Sequence, residues 1–192
     1  MKKILTFVSS NPEKIKEVRF VLSHTGIPCR SQRMHLNEPR LESPEAVALA
    51  KARYAHQRLH VPIIAEDTSI YFKAYPLFPG LYAAYAYDAL GLEGLLKLLN
   101  GKPRGALFKT AVAYVDDYRE KTFIGTCMGR ISRAASLHGV RGLRFPYERL
   151  FIPNGRKKLL SEMSAKEKAE ISHRRKALEK FANWFITNEP RR

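Results

Sequence analysis

The chain has 192 residues, of which 45% are hydrophobic, and this is enough to build a folded core. Its two cysteines, Cys29 and Cys127, are far apart and lack a metal-ligand spacing, which argues against a disulfide framework and against a zinc site. The net charge of +16 at pH 7 favours partners that carry phosphate, and no apolar segment approaches membrane-spanning length.

The first half of the chain alternates strands and helices. The first apolar run stops at Val8 without a cleavage site, so we expect a strand and not a signal peptide, in a cytoplasmic protein that does not bind a membrane. Asn11 and Pro12 predict the N-cap and the first position of a helix. The expected elements are strands at 3–8, 29–34, 61–65 and 69–74 and helices from 12 to before Gly26 and at 44–59, the latter with Val47, Ala50 and Tyr54 on one side.

The second half adds a leucine-rich helix at 90–99 and a β-hairpin formed by 107–115 and 122–131. Ser164 and Glu167 fit the capping-box pattern, and the helix they begin should run to about Ile186, with Ser172 as the candidate position for a bend. These elements predict an α/β protein with a mixed sheet. No repeat or linker divides the chain, so we expect one domain over residues 1–192.

The junction between the first strand and the first helix reads "SSNPEK". Such a junction exposes unpaired backbone N–H groups at the positive end of the helix, where an anion can bind. The hydroxyls of Ser9 and Ser10, the amide of Asn11 and the ammonium of Lys14 would suit a polyphosphate. The same residue types also cap helices in general, and the glycines of a Walker motif are missing.

The segment "IIAEDTS" places two adjacent carboxylates, Glu66 and Asp67, at the expected end of a buried strand, where neighbouring side chains point to opposite faces. One carboxylate could bind a hard cation such as Mg²⁺ while the other orients or deprotonates a water molecule. Glu38 is a plausible third carboxylate. An ordinary solvated strand end is the alternative.

A third group of residues lies near the C-terminus, where a polar helix carries Lys168 and the segment "ISHRRKAL". His173 and Arg174 together can donate several hydrogen bonds to carbonyl or phosphate oxygens. A basic amphipathic helix with a solvated face is the alternative.

In this order, the three segments resemble the inosine/xanthosine triphosphate pyrophosphatase family, which hydrolyses non-canonical purine nucleoside triphosphates to the monophosphate and pyrophosphate. The residues that match its N-terminal motif are Ser9, Asn11, Lys14 and Glu17. The other matching segments are "EDTS", "AYPLFPGLYAAY" and "LLSEMSAKEKAEISHRRKAL", and the family's late Phe-Gly-Tyr-Asp-Pro-x-Phe is echoed by Phe145, Tyr147, Leu150 and Phe151. The resemblance covers nearly the whole chain.

The resemblance implies an elongated mixed β-sheet with flanking helices, two lobes around a central nucleotide cleft, and a homodimer that uses Mg²⁺. It implies that Asp67 positions or activates the attacking water and that the metal is held among Glu38, Glu66 and Asp67. Phe145 would stack on the base, and His173 and Arg174 would lie near its 6-oxo group. The implied substrate-binding residues are Ser9, Ser10, Asn11, Lys14, Lys51, Thr68, Phe145, Tyr147, Glu148, Lys168, His173 and Arg174.

The segment that would contact the base departs from the family pattern. Both of its glycines are replaced, by Arg144 and Pro146, and its aspartate has become Glu148. We therefore expect hydrolysis with changed or relaxed base selectivity. The alternatives are a non-catalytic nucleotide-binding or nucleic-acid-binding protein derived from the same fold, which predicts steep salt dependence and no magnesium-dependent turnover, and a pyrophosphatase that acts on modified pyrimidines.

Overall fold

The computed structural model describes residues 4–35, 42–136 and 146–188. Glu38, Arg144 and Phe145 lie outside these ranges, so their predicted contacts stay predictions. The described strands are β1 (Leu5–Val8), β2 (Cys29–Gln32), β3 (Ile63–Phe72), β4 (Pro79–Gly80), β5 (Gly105–Val115), β6 (Glu120–Ile131) and β7 (Phe151–Pro153). The described helices are α1 (Pro12–Ser23), α2 (Pro44–Leu59), α3 (Ala83–Leu98), α4 (Ala165–Ile171) and α5 (His173–Asn188).

The strands form one sheet in the order β2-β1-β3-β5-β6-β7, with β4 paired to β3. β1 runs parallel to both β2 and β3, with Leu5 opposite Cys29 and Thr6 opposite Ile63. The β3–β4 and β6–β7 pairs are antiparallel. The prediction of an α/β protein with a mixed sheet is therefore confirmed.

Side-chain caps fix where α1 and α2 begin. Asn11 accepts a hydrogen bond from the backbone N–H of Glu13 at 3.0 Å, and Ser43 accepts one from the N–H of Ala46 at 3.2 Å. A proline occupies the first turn of each helix, where its missing N–H costs nothing. Both helix starts were predicted correctly. On α2, however, the buried face includes Lys51, whereas Tyr54 is only half-buried.

The prediction of two strands separated near Glu66 and Asp67 is wrong. β3 is one strand of ten residues, and both carboxylates lie buried in its middle. In a sequence, charged residues that follow an apolar run usually indicate the end of a strand, because burying a charge without a partner costs free energy. Here each carboxylate has a cationic partner, and the strand continues.

Two helices are interrupted where the sequence predicted continuous ones. Ser172 has ψ 120, an extended value, and separates α4 from α5, so the candidate bend is a complete break. The leucine-rich helix begins earlier than expected, at Ala83, and Gly91 breaks it with φ 60 and ψ −177. Within the described ranges, no helix is both long and apolar enough to cross a membrane.

The chain divides into two compact units: unit 1 comprises residues 1–68, 110–125 and 173–192, and unit 2 comprises 69–109 and 126–172. In unit 1, alternate strand residues such as Ile64 and Val112 pack with α1 and α5, while Ile63 and Ala111 pack with α2. The sheet of unit 1 is thus covered on both faces. Unit 2 has its own core around Phe72, Leu95, Phe108, Tyr147 and Phe151.

Candidate active site

The alternation of β3 sends its two carboxylates to different helices. Glu66 shares the parity of Ile64 and therefore faces α1 and α5, whereas Asp67 shares the parity of Ala65 and faces α2. The cations that meet them come from those same helices. A single strand thus presents two carboxylates in two separate environments.

Glu66 is bound by two cations and a hydroxyl. The ammonium of Lys14 pairs with Oε1, the Nε of Arg174 donates to Oε2 at 3.2 Å, and the hydroxyl of Thr68 donates to Oε2 at 2.9 Å. Burial by itself would raise the pKa of Glu66, but Lys14 and Arg174 outweigh it and hold the pKa well below its usual range. Glu66 is therefore a carboxylate anion in the folded protein.

Arg174 links α5 to two acidic residues. Its guanidinium donates from Nη1 to Oε2 of Glu17 on α1, in addition to the bond from Nε to Glu66. Burial alone would lower the pKa of Arg174, but the two carboxylates raise it above its ordinary value. Glu17 entered the sequence analysis only as part of the N-terminal motif. In the structure it binds Arg174, which the sequence analysis assigned to the substrate.

Asp67 pairs with Lys51, whose Nζ donates to Oδ1 at 2.8 Å, and the two residues are only 7% and 5% exposed. Burial raises the pKa of Asp67, and the charges of Lys51 and Lys14 offset that rise in part. A carboxylate with a raised pKa accepts a proton more readily than an ordinary one. This property suits a general base.

A chain of hydroxyls connects Glu66 to His173. The Oγ1 atoms of Thr68 and Thr110 are 2.6 Å apart, and Oγ1 of Thr110 lies 2.6 Å from Nδ1 of His173. Burial, followed by the charge of Arg174, lowers the pKa of His173 to about 3. The sequence analysis missed Thr110, because a threonine inside a strand carries no motif; only its parity on β5, shared with Val112, could have placed it on the Glu66 side.

A glycine allows α5 to begin close to β6. A Cβ atom on Gly125 would collide with the carbonyl oxygen of His173 and would lie 2.6 Å from the backbone nitrogen of Ala177. The first turn of α5 therefore rests directly on the strand backbone. This contact sets the position from which His173 and Arg174 extend.

The residues predicted at the phosphates lie at the start of α1. Ser9 accepts a hydrogen bond from the N–H of Asn11 at 3.1 Å, Asn11 caps the helix, and Ser10 is exposed. Their side chains therefore organise the helix N-terminus. Lys14, one turn into α1, is directed to Glu66.

Three predicted residues belong to unit 2. Lys168 on α4 donates to Glu148 at 2.7 Å, which is consistent with a shared location for these two. Tyr147 is buried in the core of unit 2, and its hydroxyl donates to the carbonyl of Ala83 at 2.8 Å. Its predicted contact with the substrate stays a prediction.

The family model of the Ham1 family matches residues 5–184. The chain belongs to the Ham1 family. A dITP/XTP pyrophosphatase of Methanopyrus kandleri is 40% identical over 186 residues, which cover 95% of this chain and 96% of the relative. One of Thermococcus kodakarensis is 37% identical, with 96% and 98% covered. The solved structure of the Staphylococcus aureus Ham1 protein superposes with a TM-score of 0.80 at 25% identity, covering 96% of this chain and all of that one.

For this member of the Ham1 family, the donor chemistry is compatible with a hard cation. Glu66 and Asp67 supply carboxylate oxygens, the ligands that Mg²⁺ prefers, and Mg²⁺ commonly takes only one or two carboxylates together with substrate phosphates. Among the residues that the structure describes, no cluster of three or more His, Cys, Asp or Glu could hold a metal by itself. A metal here would therefore take further ligands from the substrate or from residues outside the described ranges, such as Glu38.

Proposed function

We propose that this chain hydrolyses non-canonical purine nucleoside triphosphates such as dITP, ITP and XTP to the nucleoside monophosphate and pyrophosphate. The observation that carries the proposal is the buried pair Glu66 and Asp67, each matched by a cation from a different helix, in a chain 40% identical to a dITP/XTP pyrophosphatase. Membership of the Ham1 family supplies the reaction class. The two carboxylates are the groups that would bind a cation and activate the water.

Asp67 is assigned as the residue that positions or deprotonates the attacking water. Burial raises the pKa of Asp67, which favours proton uptake, and the adjacent ammonium of Lys51 limits that rise. Lys51 and Lys14 are assigned to the phosphates. Both ammonium groups already lie in the site, so their positive charge is in place before the substrate arrives.

The metal in this proposal is Mg²⁺, held among Glu38, Glu66 and Asp67. Bound there with the triphosphate, it would neutralise charge that develops on the phosphate oxygens. Lys14 and Arg174 hold Glu66 as an anion, and Lys51 pairs with Asp67.

The remaining assignments concern the nucleotide. Ser9, Ser10 and Asn11 are assigned to the phosphates because they surround the N-terminus of α1, where backbone N–H groups and the helix dipole favour anions. The other residues of unit 1 that are assigned to the substrate are Thr68, His173 and Arg174. The unit 2 set consists of Tyr147, Glu148 and Lys168, with Phe145 as the stacking residue, and its altered sequence is the reason for expecting relaxed base selectivity.

The test is pyrophosphate release from a panel of nucleoside triphosphates, with Mg²⁺ and with a chelator. Asp67→Asn should lower kcat by at least about 100-fold, the usual contribution of a general base, because an amide cannot take up the proton. Asp117→Asn is the matched control, since it makes the same change at an exposed hairpin position and should retain full activity. Absence of turnover on every nucleotide in the folded protein would favour the non-catalytic binding protein.

Homodimer formation and a cytoplasmic location belong to the same proposal. They rest on the resemblance of nearly the whole chain to the pyrophosphatase family. Nucleic-acid binding is the weaker alternative, because the relatives that the chain resembles over nearly its whole length are named dITP/XTP pyrophosphatases.

A further inference from the structure

Lys14 supplies positive charge to both carboxylates that are assigned to the metal. Its ammonium pairs with Oε1 of Glu66, and the two side chains are only 15% and 1% exposed. Burial raises the pKa of Asp67, and the charges of Lys51 and Lys14 offset part of that rise, so the same ammonium also acts on Asp67. All of these residues belong to unit 1. A lysine therefore already performs the electrostatic task of a cation at this site.

The three partners of Glu66 differ in how firmly they are held. The hydroxyl of Thr68 and the Nε of Arg174 both donate to Oε2, at 2.9 and 3.2 Å. Thr68 is fixed by its place on the same strand, and the guanidinium of Arg174 also donates to Glu17. Lys14 reaches Oε1 at the end of a flexible aliphatic stem. Of the three partners, Lys14 is the one whose side chain can turn away while its backbone stays in place.

A divalent cation and the ammonium of Lys14 compete for the same oxygen. A carboxylate oxygen has two lone pairs, and the donors on Thr68 and Arg174 use those of Oε2. A cation that binds Glu66 therefore approaches Oε1, where Lys14 lies. Two positive charges at such close range repel strongly inside a protein, where the effective dielectric constant is lower than in water. The cation therefore binds firmly only when Lys14 leaves.

The departing ammonium needs another anion, because a largely buried charge without a partner costs free energy. The proposed function supplies that anion, since it assigns Lys14 to the phosphates of the substrate. Only this step depends on the proposed function. Once Lys14 has turned to a triphosphate, Glu66 has lost one of its two cationic partners, and its Oε1 is open to a metal. Binding of phosphate and binding of metal are thereby linked through one side chain, and by thermodynamic reciprocity each favours the other.

We propose that Lys14 is an exchangeable counter-ion of Glu66: it keeps divalent cations away from this carboxylate in the nucleotide-free protein and releases it when a triphosphate takes the ammonium. The protein then takes up the metal together with the triphosphate and holds it weakly without one. The buried carboxylate is balanced at every stage, by Lys14 before the substrate binds and by the metal afterwards.

The first measurement is binding of Mn²⁺, as a probe for Mg²⁺, to the nucleotide-free protein by electron paramagnetic resonance. Lys14→Gln removes the charge and keeps an amide that can donate to Glu66, so we expect Mn²⁺ to bind at least about tenfold more tightly than in the wild type. Lys16→Gln is the matched control, because it removes the same charge from an exposed position on α1 and should bind Mn²⁺ as the wild type does. Equal affinities in Lys14→Gln and Lys16→Gln would overturn the proposal.

Thermal stability gives a second measure of the same exchange. Lys14→Met leaves Glu66 without one of its two cationic partners, so this variant should melt at a lower temperature than the wild type. Added Mn²⁺ should raise the melting temperature of Lys14→Met by more than that of the wild type, because the metal binds the folded variant without competition. An equal rise in the two proteins would refute the competition between Lys14 and the metal.

The release of Glu66 can be followed through the ¹⁵N NMR signal of the Lys14 ammonium. In a buffer that contains a chelator, inorganic triphosphate should shift this signal, because the ammonium exchanges a carboxylate for a phosphate, and Mg²⁺ without triphosphate should shift it much less. A signal that inorganic triphosphate leaves unchanged would overturn the release step. Loss of nucleotide hydrolysis with all three results as expected would instead count against the proposed function, because none of these measurements contains a nucleotide.

Discussion

At the scale of single residues, each charge in the site is placed beside its opposite. Glu66 meets Lys14 and Arg174, Asp67 meets Lys51, and all of these side chains are largely removed from water. Removing one partner of a buried ion pair costs about 3–5 kcal/mol, because the other charge stays buried without compensation. Substitutions here therefore change stability as well as activity, and the two effects have to be measured separately.

One residue-scale prediction concerns His173 and acid. Its pKa of about 3 in the folded protein lies below the 6.5 of an ordinary imidazole, so the unfolded chain takes up the proton first as pH falls. The stabilisation is complete above pH 6.5 and is lost progressively below it. We expect the free energy of unfolding to fall by about 1–2 kcal/mol between pH 7 and pH 5 from this residue, measured by denaturant titration.

His173→Asn is the comparison for that experiment. The amide of asparagine can still form a hydrogen bond with Thr110 from nearly the same place as Nδ1, but it does not titrate in this range. In the variant, the free energy of unfolding should change much less between pH 7 and pH 5 than it does in the wild type, whatever the absolute stability of the variant. An unchanged pH dependence would mean that His173 is not held neutral.

The sequence identified the charged residues of the site but not the residues between them. A sequence motif can identify residues that lie in short segments of distinctive chemistry, as do Glu66, Asp67, His173 and Arg174. Thr110 and Gly125 act through one hydroxyl and through a missing side chain, and both depend on contacts between segments distant in sequence. Such contacts exist only once the sheet register and the path of α5 are known.

At the scale of secondary-structure elements, the starts of α1 and α2 were predicted correctly, because a cap is a local interaction. Asn11 and Ser43 each bond to an N–H two or three residues ahead. The extent of β3 was the least predictable feature. Its continuity through Glu66 and Asp67 depends on Lys14, Lys51 and Arg174, which come from three different helices, so no local pattern could have revealed it.

The start of α1 offers an element-scale prediction, because Asn11 has two proposed roles. Asn11→Asp should keep the cap, since aspartate caps as well as asparagine and its charge suits the helix N-terminus. The added negative charge should nevertheless repel the triphosphate. We expect an unchanged melting temperature and a KM raised at least about tenfold, the equivalent of 1.4 kcal/mol.

Asn11→Ala is the matched control for the helix. It removes the cap without adding charge and should cost about 1 kcal/mol of stability. If Asn11→Asp retained the wild-type KM, the N-terminus of α1 would not be the phosphate site, and Asn11 would serve the helix alone.

At the scale of the whole molecule, the net charge of +16 does not come from the paired groups of the site. Lys14 and Arg174 are balanced by Glu17 and Glu66, and Lys51 is balanced by Asp67. The excess therefore belongs to other residues and acts on an anionic substrate from a distance. Attraction of this kind speeds association and is screened by salt, with a Debye length of about 10 Å at 0.1 M.

We therefore expect kcat/KM for a nucleoside triphosphate to fall severalfold between 0.05 M and 0.5 M salt, while kcat changes little, because the buried ion pairs are screened much less than surface charge. Steady-state kinetics across a salt series, at constant free Mg²⁺, would measure both. A parallel fall of kcat and kcat/KM would instead indicate that salt disrupts the site itself.

The contact between Gly125 and the first turn of α5 bears on how natural variation in this protein should be interpreted. Gly125 lies in none of the recognisable motifs, and it has no side chain that a substrate could touch. Yet any other amino acid there would push against the backbone of His173 and displace two residues assigned to the nucleotide. A variant at position 125 that looks harmless by its distance from every motif should therefore be grouped with substitutions of His173 and Arg174 themselves.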